Sequence, residues 1–232
     1  MTCLFRSLLR FIPLFLLAAC ATALPRPGID YQPGRVVETL SSSVSVSIHT
    51  ASTMMGGHGF LVYRRPDQLH LVILSPFGTT LMEAFALGER VTLVYPGRSV
   101  AYSGLITELP DKDGLQGWSM MRWVMDADPP GDGLVNGTVE RVTTQGVRER
   151  VTVENGLVTA KVSAAGDKVY YSNYTVINGV PLATEIDLRN ARDDRILLNL
   201  SEPEVNIRLD DAALLPRLTD MTVLPLSAIK GM

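Results

Sequence analysis

The chain has 232 residues, with 21 lysines and arginines against 24 aspartates and glutamates and a formal net charge of −3. That balance offers no basic face for phosphate backbones and argues against nucleic acid as a partner. A hydrophobic share of 46 % suffices for a real core, in one domain or at most two.

At the start of the chain, Arg6 and Arg10 flank a segment that continues as the apolar run 11–17, then Ala18, Ala19 and Cys20. Charge, apolar run and small residues in this order are those of a secretory signal. The run is far shorter than the roughly 20 residues of a membrane-spanning helix. Leu17-Ala18-Ala19-Cys20 resembles the bacterial lipobox. That resemblance implies cleavage before Cys20, a diacylglyceryl group on its thiol, and a lipoprotein held on a membrane of the bacterial envelope. The alternative is an ordinary signal peptide with an incidental cysteine. Cys3 lies in the segment removed, so Cys20 is the one cysteine of the mature chain, without the partner that an oxidising compartment invites. Ala21 stands where an aspartate would, by resemblance to lipoprotein sorting, favour the inner membrane; the outer membrane, facing the periplasm, is expected instead. Residues 21–35 hold Pro25, Pro27, Pro33, Gly28 and Gly34, which exclude a helix and permit an extended spacer. The expected division is therefore a signal peptide over 1–19, a lipidated N-terminus and flexible tether over 20–35, and a single domain over 36–232.

From Val44 the pattern changes. Val44, Val46 and Ile48 alternate with Ser45, Ser47 and His49, the period of two of a half-buried strand. Further strand-like runs follow at 59–65, 69–75, 81–87, 91–95 and 100–103, broken by Pro66, Pro76, Gly88 and Pro96. Gly56-Gly57-His58-Gly59 lacks the lysine and following helix of a phosphate loop and reads as a turn. In the second half, 139–143, 148–153, 157–162, 169–176, 182–188, 196–200 and 205–209 are strand-like. Asn155-Gly156 and Asn178-Gly179 fall between such runs, where tight hairpins favour Asn-Gly. About a dozen strands in one modest domain is too many for a flat sheet. The expected fold is mainly β, a strongly curved antiparallel sheet or incomplete β-barrel, with one or more covering helices.

Residues 113–126 break the β pattern. Leu115, Trp118, Met121 and Met125 recur at spacings of three and four, the period of an amphipathic helix. Such a helix covers one face of a sheet as core, or serves as a lid whose pliable methionines tolerate varied apolar guests.

No enzyme is expected. His49, His58 and His70 have no metal-like spacing to cysteine or carboxylate, no nucleophile elbow occurs, and neither a metal nor a cofactor is implied.

Residues 69–104 carry a more specific pattern. A strand ends in Ser75-Pro76-Phe77-Gly78-Thr79, a second strand follows, and further on Trp118 to Met125 precede Asp128-Pro129-Pro130-Gly131. Over residues 44–200 this is similar to the LolA/LolB-like family of outer-membrane lipoprotein carriers and receptors, in which a strand ends in Asn-Pro-Leu-Gly-Ser or a close variant. The resemblance implies a half-open antiparallel β-barrel with helices as a lid, an apolar cavity for acyl chains, and an exposed apolar residue on the turn that enters a membrane. Pro76, Phe77 and Gly78 would form that transfer loop, and Leu115, Trp118, Met121 and Met125 the lid. The cargo would be lipid or an acylated lipoprotein, with a periplasmic carrier as a further partner. Two departures stand out: the helix expected before the first strand is poorly marked between Tyr31 and Ser43, and 202–232 runs past the family's usual end.

Physical chemistry points the same way. An acyl chain costs about 0.8 kcal/mol per CH₂ exposed to water, so a carrier must line a cavity with apolar side chains; the inward positions of 60–63, 71–74 and 81–87 are candidates. The competing expectation is a non-catalytic interaction lipoprotein with a solid β core, working in an envelope complex.

Overall fold

The computed structural model describes residues 29–50, 54–110, 116–129, 133–143, 146–192 and 194–229. The signal segment, Cys20 and Leu115 lie outside the described residues.

Alternating apolar and polar side chains build two meanders. The first comprises β1 (Thr39–His49), β2 (Met54–Arg64), β3 (Gln68–Leu74), β4 (Thr80–Leu87), β5 (Arg90–Tyr95) and β6 (Val100–Leu105). Helix α1 (Gln116–Met125) intervenes, and the second meander follows as β7 (Gly137–Val142), β8 (Arg148–Glu154), β9 (Leu157–Ser163), β10 (Lys168–Ile177), β11 (Val180–Arg189) and β12 (Arg195–Val205). Consecutive strands within each meander pair antiparallel. The meanders join where β12 lies antiparallel to β1, with Ser45 opposite Asn199. A short β13 (Thr222–Leu224) adds a parallel partner to β6 at the far edge. The result is one unclosed sheet in the order β13-β6-β5-β4-β3-β2-β1-β12-β11-β10-β9-β8-β7, the curved incomplete barrel that the strand pattern predicts. The Asn155 and Asn178 turns close their hairpins at φ +53°.

Right-handed strand twist makes a sheet this wide curl, and local devices sharpen the bend. One is a register shift in β1 between Ser41 and Ser43. Another is in β2, and it corrects the sequence reading of Gly56-Gly57-His58-Gly59 as a turn: the whole run lies within the strand. A Cβ on Gly59 would stand 1.7 Å from the Val72 carbonyl oxygen of β3, so the close approach of β2 to β3 requires glycine there. A second correction concerns 205–209. β12 carries its ladder with β1 as far as Val205, where Asn206 turns left-handed at φ +58°, and no separate strand follows. Pro203 is tolerated in β12 because the β11–β12 pairing has ended at Asn199, leaving its missing donor unneeded on that side.

The concave face holds the core, with Leu40, Val44 and Val46 of β1, Leu61 and Tyr63 of β2, and Leu198 of β12 all buried. Helix α1 lies in this hollow. Met121, Arg122, Trp123, Val124 and Met125 are each under 10 % exposed, so its last turns are enclosed rather than amphipathic. After β12 the chain crosses the convex face. Leu218 and Met221 pack on Phe85, Val94 and Ala101, and the His70 ring lies 3.9 Å from Phe85 with its two nitrogens facing the Ala213 carbonyl and the Glu83 carboxylate. The tail then pairs as β13 and turns in, burying Leu226 and Ile229 in the main core. Residues 206–229 are thus a strap around one sheet edge.

Candidate functional site

Antiparallel pairing puts the β1–β2, β3–β4 and β5–β6 connections at one end of the curled sheet. The β2–β3 and β4–β5 turns, with the Asn155 and Asn178 turns, lie at the other.

The second end is closed by α1 and its partners. The last carbonyls of a helix have no intrahelical donor, and here side chains of the sheet supply them. Lys161 Nζ donates to the Trp123 and Asp126 carbonyls at 2.7 and 2.6 Å, and the Tyr171 hydroxyl to the Val124 carbonyl at 2.6 Å. A cation at this terminus also complements the helix dipole. Lys161 pairs with Glu149 at 3.2 Å, both side chains being 0 % exposed. Glu149 also accepts from Trp123 Nε1 and, at 2.6 Å, from Arg141 Nε. Burial pushes the Lys161 ammonium below its ordinary value, against the pull of Glu149 and Asp126; burial likewise raises the Tyr171 hydroxyl well above its own. Toward the opposite wall, Arg122 Nη1 of α1 donates to the Gly88 carbonyl of the β4–β5 turn at 2.7 Å. The helix is thereby tied to both meanders. Voids around it are small: about 40 Å³ beside Val124 and Met125, and about 10 Å³ where Met121 meets Val46, Ile48 and Leu198.

The first end is open, and here lies a cavity of about 670 Å³. Val46 and Ile48 of β1 form its base, and Ile73, Met82 and Tyr95 its wall. Gly56 and Gly57 line it as well, so part of the space is what absent side chains leave free. Of the expected cavity positions, Ile73 and Met82 do line it, Leu61, Tyr63, Leu71, Ala84 and Ala86 are buried deeper in the core, and Phe60 is half exposed at 51 %.

The rim is apolar. Met54 and Met55 are 77 % and 42 % exposed, Leu81 is 53 % exposed, and Phe77 is 94 % exposed. A register shift makes Leu81 the extra residue between the Ile73–Met82 and Leu74–Thr80 pairs, and such bulges re-aim side chains. Phe77 is held out by its turn. Ser75 Oγ accepts from the Phe77 and Thr79 amides at 3.2 Å each, the Gly78 amide donates to the Ser75 carbonyl at 2.9 Å, and Gly78 takes φ +80°. Pro76 precedes Phe77 in that turn. Among the expected lid residues, Met121 and Met125 are buried at 2 % and 8 %, Trp118 belongs to α1, and Leu115 lies outside the described residues. Among the described residues, no group of three His, Cys, Asp or Glu side chains is placed to hold a metal ion. Sequence reasoning missed Met54, Met55 and Arg98 at the mouth; two adjacent methionines before a glycine-rich strand were the available signal.

No family model and no curated protein matches this sequence. Among solved structures, a DUF1329 family protein from Desulfovibrio piger is similar at a TM-score of 0.57 and 12 % identity, over 77 % of this chain and 90 % of that one. A LolA superfamily protein from Nitrosomonas europaea is similar at a TM-score of 0.53 and 14 % identity, over 81 % of this chain and 93 % of that one. At such identities the likeness is one of fold. The curled open sheet, with a helix across one end of its hollow, is a LolA/LolB-like fold.

Proposed function

We propose that this protein is an envelope lipoprotein, anchored through lipid on Cys20, that shelters acyl chains in its cavity and passes them to or from the outer membrane. The observation that carries the reading is the open cavity of about 670 Å³ at the end of the sheet where Met54, Met55, Phe77 and Leu81 are exposed. Pockets of roughly 300–1,000 Å³ suit small apolar guests, and a guest leaving water for such walls gains about 0.8 kcal/mol per CH₂. Exposed apolar side chains gathered at one end of a protein commonly mark a place of contact with another apolar body. The LolA superfamily name of the Nitrosomonas europaea protein is consistent with lipoprotein cargo and a periplasmic carrier as partner. An adaptor with a solid core fits less well, because filling is confined to the α1 end.

Phe77→Glu tests the docking role. Burying a phenylalanine in lipid contributes about 1.5–3 kcal/mol, so the variant should bind phosphatidylethanolamine–phosphatidylglycerol vesicles about tenfold more weakly or worse in co-sedimentation. Cys20→Ala in both proteins removes the anchor from the comparison. The thermal midpoint should not move, because the side chain packs on nothing. Unchanged vesicle binding and unchanged transfer of an acylated peptide would remove Phe77 from the mechanism.

A further inference from the structure

We propose that the cavity takes one long acyl chain at a time, with its carboxylate head against Arg98. This rests on the acyl-carrier reading above and narrows its guest to a long-chain fatty acid.

Volume admits one long chain. A methylene fills about as much space as a water molecule in the liquid, about 30 Å³. About twenty such groups need on the order of 600 Å³, so one chain of about sixteen carbons with its head fits within the open cavity of about 670 Å³. Among the described residues, Met121 of α1 meets Val46, Ile48 and Leu198 around a void of only about 10 Å³.

Charge sets the head. Among the residues lining the cavity, Arg98 is the charged one. It ends the short turn Pro96–Arg98 between β5 and β6, at the mouth. Its guanidinium lies 5.8 Å from the centre of the Tyr95 ring, and Tyr95 is set edge-on to Tyr102 at 6.0 Å. The cation–π contact holds the guanidinium beside Tyr95, which itself lines the cavity. Among the described residues no carboxylate pairs with Arg98. A guanidinium fork matches a carboxylate in two parallel hydrogen bonds, whereas an uncharged head gains little from it. Met55 and Met82 give the walls the pliability to follow a bent or straight chain.

The test uses cis-parinaric acid, a fluorescent eighteen-carbon fatty acid, and its uncharged methyl ester, added to the chain carrying Cys20→Ala. Saturation at one acid per protein is expected, with the ester bound more weakly. Arg98→Glu should weaken the acid about tenfold or more and leave the ester unchanged. Ile48→Trp, which fills the base, should abolish both while near-ultraviolet circular dichroism reports an intact fold. Saturation at two or three acids per protein overturns the single-chain assignment. Equal affinity of wild type and Arg98→Glu for the acid overturns the head assignment but leaves the carrier reading standing. Failure of folded wild-type protein to take up either probe overturns both.

Discussion

Lys161 shows what single residues can impose on a whole site. A lysine with 0 % side-chain exposure is costly unless paired, and here it is paired with Glu149 and with two carbonyls that α1 leaves without intrahelical donors. Lys161→Met keeps the bulk but strips the donors, stranding the Trp123 and Asp126 carbonyls and removing a partner of Glu149. Removal of one partner of a buried pair costs about 3–5 kcal/mol, which urea unfolding at neutral pH should show as a lowered midpoint. A neutral result would mean that water takes the place of the ammonium. This network was not legible in the sequence, since Lys161 occupies an ordinary strand position and its two carbonyl acceptors lie more than thirty residues away along the chain in α1 and its C-terminal extension. Pro76 and Gly78 made the turn around Phe77 legible, but the sequence left open whether its ring folds back on the core, and only the structure shows it 94 % exposed.

At the scale of the element, the alternation of β1 and the Asn-Gly turns could be read directly, because period two and positive φ each have a local cause. The Gly56–Gly59 stretch misled for an equally local reason: glycine is cheap in turns, and nothing in one strand announces how closely its neighbour will pass. Gly59→Ala tests that account. A methyl group 1.7 Å from a backbone oxygen cannot be absorbed by a rotamer change, so β2 or β3 must shift. A loss of about 2 kcal/mol or more is expected in chemical denaturation, well beyond the usual gain from replacing a freely placed glycine. An unchanged midpoint would show that the curl does not depend on this contact. The helix was located by its spacing, yet its enclosure was not, because an amphipathic period is read from one side chain face and the curled sheet reaches round to the other.

The whole molecule depends on two long-range fastenings that no periodicity encodes. One is the β1–β12 seam between the meanders, and the other is the C-terminal strap. Pro216 and Pro225 and the lack of a repeating pattern hid the strap's role, while its anchors are ordinary isolated hydrophobes. Leu226 is 0 % exposed beside Gly104, and Leu226→Ala should cost about 2–5 kcal/mol. Hydrogen exchange should then speed up first along β6 and β13 rather than in β8–β11. Uniform loss of protection would mean the strap is inseparable from the global fold.

Ahead of β1 the polypeptide is stitched to the far end of the molecule. The Gln32 amide donates to the Gly179 carbonyl at 3.0 Å, and Arg35 Nη1 to the Asn178 carbonyl at 3.2 Å, both at the pole opposite Phe77. From Tyr31 back to Cys20 the covalent reach is at most about 40 Å. An eleven-residue strand such as β1 is itself about 36 Å long. If acylated Cys20 and the aromatic tip are to sit in the same leaflet, that connection must run alongside the barrel at nearly full stretch. Any shorter path holds the mouth off that bilayer and turns it toward whatever approaches from the periplasm, so the geometry of a dozen residues decides which way this protein faces.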